Sequence, residues 1–199
     1  MSIVVEHEKR RKEILTKALD VFIESGYENA TFQKVADRCG ITRTTLYLYF
    51  KNKKEIFNYS IKLLLVNVED NIRKIVSDKS MGYIDKITNV LLDIFAKLEK
   101  NRRLLSVILH YILYLSKNKI NPERRISRRT IRLRRILASL VIEGVKSGEL
   151  KPVSVKTAVE YLYSIIESAI FRLVVLQQET AGDFGKTVIF AVKQLAGNR

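Results

Sequence analysis

The chain has 199 residues, of which 47% are hydrophobic, with eight glycines, two prolines and one cysteine. This composition fits one substantial core or a small head on a larger body, and it excludes a disordered chain and a framework of intramolecular disulfides. The formal net charge of +15 at pH 7 favours an anionic partner such as nucleic acid, because neutralising phosphates releases counterions.

The positive charge is unevenly distributed along the chain. Residues 1–57 contain 11 lysines and arginines against 8 acidic residues, whereas residues 58–199 contain 25 against 13. Bulk charge therefore supports only non-specific attraction to an anion, and the location of a nucleic-acid site has to come from a motif.

Apolar residues recur at spacings of three and four along the whole chain, a period that predicts α-helices and no strands. The first helix is predicted over residues 8–25, where a glycine follows it. Two short helices follow over 32–39 and 43–49. Asn52 and Glu55 then form a capping-box pattern that opens a long fourth helix.

The segment 77–82 interrupts this pattern and separates the fourth helix from those that follow. Five further helices are predicted over 83–99, 102–117, 122–147, 154–179 and 184–196. The predicted fold is therefore all-α, with an N-terminal three-helix head and a larger C-terminal helical bundle, about nine helices in total.

Residues 31–50, TFQKVADRCGITRTTLYLYF, have the pattern of a helix-turn-helix. Ala36 is small enough for two helices to cross closely, and Gly40 supplies the positive φ that ends the first of them. Thr42 can cap the second helix, which leaves Arg43 in the first turn, where a recognition helix meets base edges.

The residues from 8 to 59 resemble the TetR family of bacterial transcriptional regulators. The resemblance is carried by Gly26-Tyr27, Thr31, the pattern V-A-x-x-x-G-I from Val35 to Ile41, and TLYLYFKNKKEIF from Thr45 to Phe57. It implies a homodimer whose heads bind a pseudo-palindromic operator in double-stranded DNA, and a body that binds a small-molecule effector. It also implies two domains: a DNA-binding head over 1–57, with the start of the linking helix, and a ligand-binding and dimerisation body over 58–199.

The resemblance also assigns roles to residues of the head. It implies base contacts for Gln33, Arg43 and Thr44, and backbone contacts for Thr31, Thr45, Tyr47, Tyr49 and Lys53, with Thr42 beside them. The chemistry agrees in part, because Arg43 can pair bidentately with guanine, while tyrosine hydroxyls can bind phosphates. Tyr47 and Tyr49 could instead pack in the core of the head, where Phe50 is expected. Phe32 departs from the family pattern, since a polar residue would be more useful at a position facing DNA.

Catalytic chemistry finds little support in the sequence. His7 and His110 lie about a hundred residues apart, Cys39 lies inside the turn motif, and neither a glycine-rich phosphate loop nor a metal-ligand spacing is present. We therefore predict that the protein is not an enzyme and binds no metal or cofactor. Cys39 is expected to be a small buried hydrophobic residue.

By the same resemblance, helices five to eight enclose an effector pocket. The candidate lining residues are Tyr83, Phe95, His110, Tyr111, Tyr114 and Phe171. His110 could equally be a satisfied core residue. An anionic effector would need one or two of Arg128, Arg129, Arg132 and Arg135 turned inward, because a buried carboxylate or phosphate has to be paired. We favour a largely apolar effector, since most pockets are lined by apolar side chains.

Residues 124–135, RRISRRTIRLRR, contain seven arginines. They could form a solvated helix face or an anion site, and they suggest a second class of function, in which a basic amphipathic helix holds the protein at an anionic membrane surface. Stable insertion into a membrane is not expected, because the apolar stretch 158–176 contains Glu160, Glu167 and Arg172. The opening residues lack a signal-peptide core, so a cytoplasmic location is expected.

The eighth predicted helix is apolar on nearly every face, which one monomer could not easily cover. A dimer interface is therefore predicted from Leu162, Ile165, Ile166, Ala169, Ile170 and Leu173, with Val188 and Val192 of the last helix. On this prediction, Ala169→Glu should give folded monomers that lose operator binding. One thick monomeric core is the alternative.

The sequence as a whole predicts a ligand-responsive, DNA-binding transcriptional regulator. An effector that fits the body better when the heads are splayed would lower operator affinity by the ratio of its affinities for the two states. Repression is favoured, and activation stays open because the position of the operator relative to a promoter decides the sign.

Overall fold

The computed structural model describes residues 3–118, 123–178 and 183–197. Side chains are described for all of these residues except 3–4, 64–69 and 123–130. Nine helices occur in these ranges: α1 Ile3–Asn29, α2 Phe32–Cys39, α3 Arg43–Tyr47, α4 Lys53–Ser77, α5 Tyr83–Lys100, α6 Arg102–Lys117, α7 Glu123–Lys146, α8 Val155–Val174 and α9 Phe184–Lys193. One isolated antiparallel bridge joins Leu150 to Ala196. The predicted all-α fold with about nine helices is confirmed for this part of the chain.

The first helix extends beyond both of its predicted ends. It begins at Ile3 and continues for a short turn past Gly26, whose φ of 72° interrupts the helical conformation. The N–H of Ala30 closes this turn by donating to the carbonyl of Gly26 at 3.1 Å. Gly26 therefore kinks α1 where a complete stop was predicted.

The eighth helix ends five residues before its predicted end at residue 179. Gln177 adopts a left-handed φ of 51°, and the N–H of Gln178 donates to the carbonyl of Arg172 at 3.1 Å. This pattern closes a helix and usually uses glycine. Because glutamine takes that place here, the sequence carried no stop signal.

The helix starts in the head have side-chain caps, of which those at Thr42 and Asn52 were predicted from the sequence. The hydroxyls of Thr31 and Thr42 each accept the backbone N–H three residues later at 3.1 Å. Asn52 accepts the N–H of Glu55 at 2.9 Å, and the Glu55 carboxylate accepts the N–H of Lys51 at 2.6 Å. These bonds satisfy N–H groups that a helix start leaves without partners, so each boundary is specified locally.

The buried side chains form two clusters. The body cluster is built from α5, α7, α8 and α9, with Ile72 from the end of α4. The head cluster contains the inner faces of α1, α2 and α3 and the start of α4, and it also contains Val107, Tyr111 and Leu115 of α6. One face of α6 therefore completes the core of the head, although α6 lies within the predicted body.

Aromatic rings make the contact between α6 and the head. The Tyr111 ring centroid lies 4.3 Å from that of Tyr27 and 4.9 Å from that of Phe57. On the neighbouring element, the hydroxyl of Ser60 donates to the carbonyl of Leu15 at 2.9 Å in the buried interior, joining α4 to α1. Head and body are thus joined by side-chain packing as well as by the continuous α4.

No helix in the described residues is both long and apolar enough to cross a lipid bilayer.

Candidate nucleic-acid interface

The helix-turn-helix is held by a left-handed glycine between two closely packed helices. Gly40 has φ 67° and ψ 34°, and the N–H of Ile41 donates to the carbonyl of Ala36 at 3.1 Å. Ala36 and Leu46 are fully buried, so α2 and α3 meet through them. A side chain other than glycine would strain this turn, because L-residues rarely adopt that φ.

An open concavity of about 810 Å³ lies at the outer side of this turn. It is lined by Gln33, Asp37, Gly40, Ile41, Thr42, Arg43 and Thr45. Of the predicted base-contacting residues, Gln33 and Arg43 line this concavity, and Thr44 is exposed next to Arg43 in the chain. Gln33 donates from its amide to the Asp37 carboxylate at 2.7 Å, which orients the amide across one helical turn.

Thr42 and Thr45 lie together at the start of α3. Their hydroxyl oxygens are 2.8 Å apart, so they share a hydrogen bond. Thr31 holds the corresponding place at the start of α2. Two helix starts therefore present threonine hydroxyl groups at this surface, and hydroxyl groups can donate to phosphate oxygens.

The ring of Tyr47 packs on Phe32, the residue that departs from the family pattern. The two ring centroids are 4.6 Å apart, and Phe32 is buried while Tyr47 is 49% exposed. The guanidinium of Arg43 donates to the Tyr47 hydroxyl at 3.2 Å and lies 5.7 Å from the ring centroid. Phe32 thus lies beneath Tyr47 and away from solvent, which explains how an apolar side chain is tolerated there.

The residues after Tyr47 divide between surface and core. Tyr49 is half-buried, and its ring stacks on His7 with centroids 4.6 Å apart and an interplanar angle of 19°. Phe50 is buried, as the sequence predicted. Leu48 is 74% exposed at the end of α3. Neither Leu48 nor His7 was predicted at this surface, because an isolated leucine or histidine carries no motif.

Lys53 already has partners within the protein. Its ammonium donates to the carbonyl of Glu28 at 2.9 Å and lies 4.7 Å from the Tyr27 ring centroid. Desolvation lowers the pKa of Lys53, and the charge of Glu28 opposes this in part. A lysine has three N–H donors, so a phosphate contact is compatible with this geometry, but the side chain also ties α4 to α1.

Cys39 lies at the end of α2 and is buried, as predicted. Desolvation raises the pKa of its thiol, although nearby cationic groups, chiefly Lys17, oppose the shift. The thiolate, which is the reactive form, is therefore disfavoured in the folded chain.

The predicted effector-pocket residues do not come together. Phe95 lies in the body core, with its ring 4.2 Å from that of Phe184, whereas Tyr111 faces the head. His110, Tyr114, Arg132 and Phe171 are exposed, Tyr83 is half-buried, and the side chain of Arg128 lies outside the described residues. Tyr111 packs in the core of the head and His110 faces solvent, because α6 turns one face to α1 and the opposite face to solvent. The effector pocket itself stays a prediction.

The predicted dimer-interface residues belong to the core of the single chain. Leu162, Ile165, Ile166, Ala169, Leu173, Val188 and Val192 are buried, and Ile170 is half-buried. The premise that one monomer cannot cover α8 was wrong, because α5, α7 and α9 pack around it. The apolar side chains that α8, α9 and the residues after α8 leave exposed are Tyr161, Phe171, Val175, Leu176, Ile189 and Phe190.

Comparison with known proteins supports the same reading of the head and the fold. The family model of bacterial regulatory proteins of the tetR family matches residues 14–59. The fatty acid metabolism regulator protein of Bacillus subtilis is 26% identical over 179 residues, which span 86% of this chain and 88% of that protein.

Two solved structures share the whole fold. A TetR transcription regulator from Haloarcula marismortui aligns with a TM-score of 0.79 and 21% identity, over 95% of this chain and 97% of that one. The regulator FadR of Bacillus subtilis, solved with stearoyl-CoA, aligns with a TM-score of 0.71 and 24% identity, over 94% and 98% of the two chains. With the capped helices, glycine turn and exposed polar face described above, these similarities identify residues 14–59 as a DNA-binding head of the tetR family. They identify the chain as a DNA-binding, ligand-responsive transcriptional regulator with the fold of that family, and not as an enzyme.

Proposed function

We propose that the chain is a homodimeric repressor that binds a pseudo-palindromic operator and is released from it by a small-molecule effector. The observation that carries the proposal is the exposed face at the glycine turn, where Gln33, Arg43 and Thr44 lie beside two capped helix starts. This is the placement of a recognition helix that enters the major groove. It favours the DNA-binding prediction over the membrane-surface alternative.

The proposed contacts divide into two kinds. Arg43 and Gln33 carry the donors and acceptors that distinguish base pairs in the major groove, and Thr44 lies next to them. Hydroxyl groups and helix starts position the backbone without reading sequence. We assign Thr31, Thr42, Thr45, Tyr47, Tyr49 and Lys53 to this second kind.

An unbiased selection of bound duplexes tests the proposal directly. A homodimer should enrich two inverted half-sites whose centres are about 34–36 Å apart, or a multiple of that distance, because each head has to meet the same side of the helix. Enrichment of a single half-site, or of no sequence at all, would contradict the proposed repressor.

We assign the dimer interface to the exposed apolar side chains of α8 and α9. The hydroxyl of Tyr161 donates to the carbonyl of Ala191 at 3.4 Å, so the two helices present neighbouring surfaces. Phe171 and Phe190 are more than half exposed on them. An apolar surface of this kind on a soluble regulator is stabilised when a second copy covers it, and a two-fold axis lets one patch meet itself.

We propose a fatty acyl-CoA thioester as the class of effector. The Bacillus subtilis relative is named as a regulator of fatty acid metabolism, and a structure with the same fold holds stearoyl-CoA. Such a molecule joins a long apolar chain to an anionic nucleotide. It would therefore use both the apolar body core and the excess of basic residues in 58–199.

Release of labelled operator DNA tests the class of effector. Stearoyl-CoA should release the protein from the operator at much lower concentrations than coenzyme A or stearate. Coenzyme A supplies only the anionic nucleotide, and stearate lacks that nucleotide. Equal release by stearate would indicate a fatty acid as the effector. Release by none of the three would contradict the assignment.

A further inference from the structure

A second concavity lies beside the proposed recognition surface, between the first turns of α1 and the residues after α3. It has a volume of about 540 Å³ and is lined by Glu6, His7, Lys9, Arg10, Glu13 and Tyr49. We refer to the five α1 residues among them as the α1 flank. None of them has a role in the proposed operator contacts, whereas Tyr49 does.

The α1 flank contacts the end of α2 and the residues that follow α3. His7 stacks on Tyr49, two residues after the end of α3. One terminal nitrogen of the Arg10 guanidinium donates to the Glu13 carboxylate at 2.9 Å. The second terminal nitrogen makes a weak hydrogen bond of 3.5 Å to the carbonyl of Cys39, at the end of α2. The flank therefore keeps a defined position relative to the turn.

We propose that the α1 flank is an additional binding surface for the DNA backbone, continuous with Tyr49. This rests on the proposed operator binding, and it extends the contact along the phosphates next to those at Tyr49. His7, Lys9 and Arg10 supply the imidazole, ammonium and guanidinium donors, which are groups that bind phosphate oxygens.

The two carboxylates of the flank have different effects. Glu13 orients Arg10 through their ion pair. Glu6 is exposed in the same concavity, where its charge would repel a phosphate. The surface thus carries one residue whose neutralisation should strengthen DNA binding, and this distinguishes a specific contact from general attraction to a basic protein.

The first test compares Lys9→Ala with Lys12→Ala in the full-length chain. Both lysines are exposed on α1 and both changes remove one positive charge, but Lys12 lies outside the concavity. Log affinity falls as log salt concentration rises, and Lys9→Ala should make this slope shallower by about 0.9 for each bound head. The loss of affinity between 50 mM and 200 mM salt should therefore be about 3-fold smaller per head than in the wild type. Lys12→Ala should keep the wild-type slope.

The second test uses charges of the opposite sign. Glu6→Gln should tighten binding to any duplex, whereas Glu8→Gln, an exposed glutamate outside the concavity, should change it much less. Equal effects within either matched pair, or no effect of Lys9→Ala and Glu6→Gln, would overturn the proposal.

The outcome also separates this inference from the proposed function. If Arg43→Ala still weakens binding only on the selected operator while Lys9→Ala behaves like Lys12→Ala, operator binding stands and the α1 flank does not contribute. If the wild type binds no duplex, both proposals fail.

Discussion

The head and the α8–α9 region of the body are alike in their interiors and differ in their outer faces. Both bury aliphatic and aromatic side chains on one side of each helix. In the head, α3 exposes Arg43, Thr44 and Tyr47, whereas α8 and α9 expose Phe171 and Phe190. Burial therefore explains why both regions fold, and the outer faces differ as the two proposed partners require: phosphates and bases for the head, and a second copy of the chain for α8 and α9.

The largest expected effect comes from placing a charge on the apolar face of the body. Phe190 is 66% exposed, so Phe190→Glu should leave the monomer folded while disrupting the proposed dimer interface. Loss of bivalent binding should reduce operator affinity by about 10²–10⁴-fold. Sedimentation at micromolar concentration and operator titration measure the two consequences.

Ala169→Glu is the matched control, and it reverses the expectation drawn from the sequence. Ala169 is fully buried within one chain, so a glutamate there should unfold the body and not yield folded monomers. Circular dichroism distinguishes the two variants. A Phe190→Glu protein that remains dimeric would move the interface to another surface.

The second prediction concerns the contact that joins the two regions. Tyr111→Ala should reduce the free energy of unfolding by about 3 kcal/mol, because it removes a buried ring that packs on Tyr27 and Phe57. Tyr114→Ala is the control, since its ring is more exposed and lies 6.1 Å from Tyr27, and it should cost less than about 1 kcal/mol. Urea unfolding measures both, and equal losses would show that Tyr111 does not join head and body.

The third prediction sharpens the proposed division of labour within the head. Arg43→Ala should cost about 1–3 kcal/mol of binding free energy on the selected operator and little on random DNA. Lys53→Ala should weaken binding about equally on all sequences and reduce the salt slope by about one unit per head. It should also lower thermal stability, because the ammonium donates to the carbonyl of Glu28. Equal losses of both variants on random DNA would contradict these roles.

The head was predictable from sequence because its geometry is specified by neighbouring residues. Thr31, Thr42 and Asn52 cap helices through bonds that span three residues, and Gly40 supplies its own left-handed conformation. Each of these features can be recognised from its residue type and spacing. The helix boundaries of α2 and α3 follow from them within two residues.

The functional surfaces of the body were not predictable in the same way, because they depend on which helices become neighbours. The apolar period of α6 indicates a buried face, yet it cannot tell that Tyr111 packs on α1. The same limit applies to α8, where Ala169 is covered by the chain's own helices. Periodicity predicts that a face is covered, and only the tertiary arrangement shows by what.

The smallest expected effect concerns an exposed ion pair of the head, between Arg38 of α2 and Glu24 of α1. The hydrogen bond from Arg38 lowers the pKa of Glu24 below its ordinary value of 4.5, and it outweighs the opposing effect of desolvation. Because the folded pKa is below the unfolded one, the stabilisation is fully present above about pH 4.5 and is lost as the pH falls through the folded value. Glu24→Gln should therefore lower the Tm slightly and by a constant amount near neutral pH, and the difference from wild type should disappear in acid.

High salt is the control for this last comparison. Both side chains are exposed, so 1 M salt, with a Debye length of about 3 Å, should reduce the difference in Tm between Glu24→Gln and wild type at neutral pH. The core contact of Tyr111 should be insensitive to the same change, because it is apolar and buried. A difference in Tm that does not shrink as the pH falls through the folded pKa of Glu24 would show that Glu24 stabilises the head through packing and not through its charge.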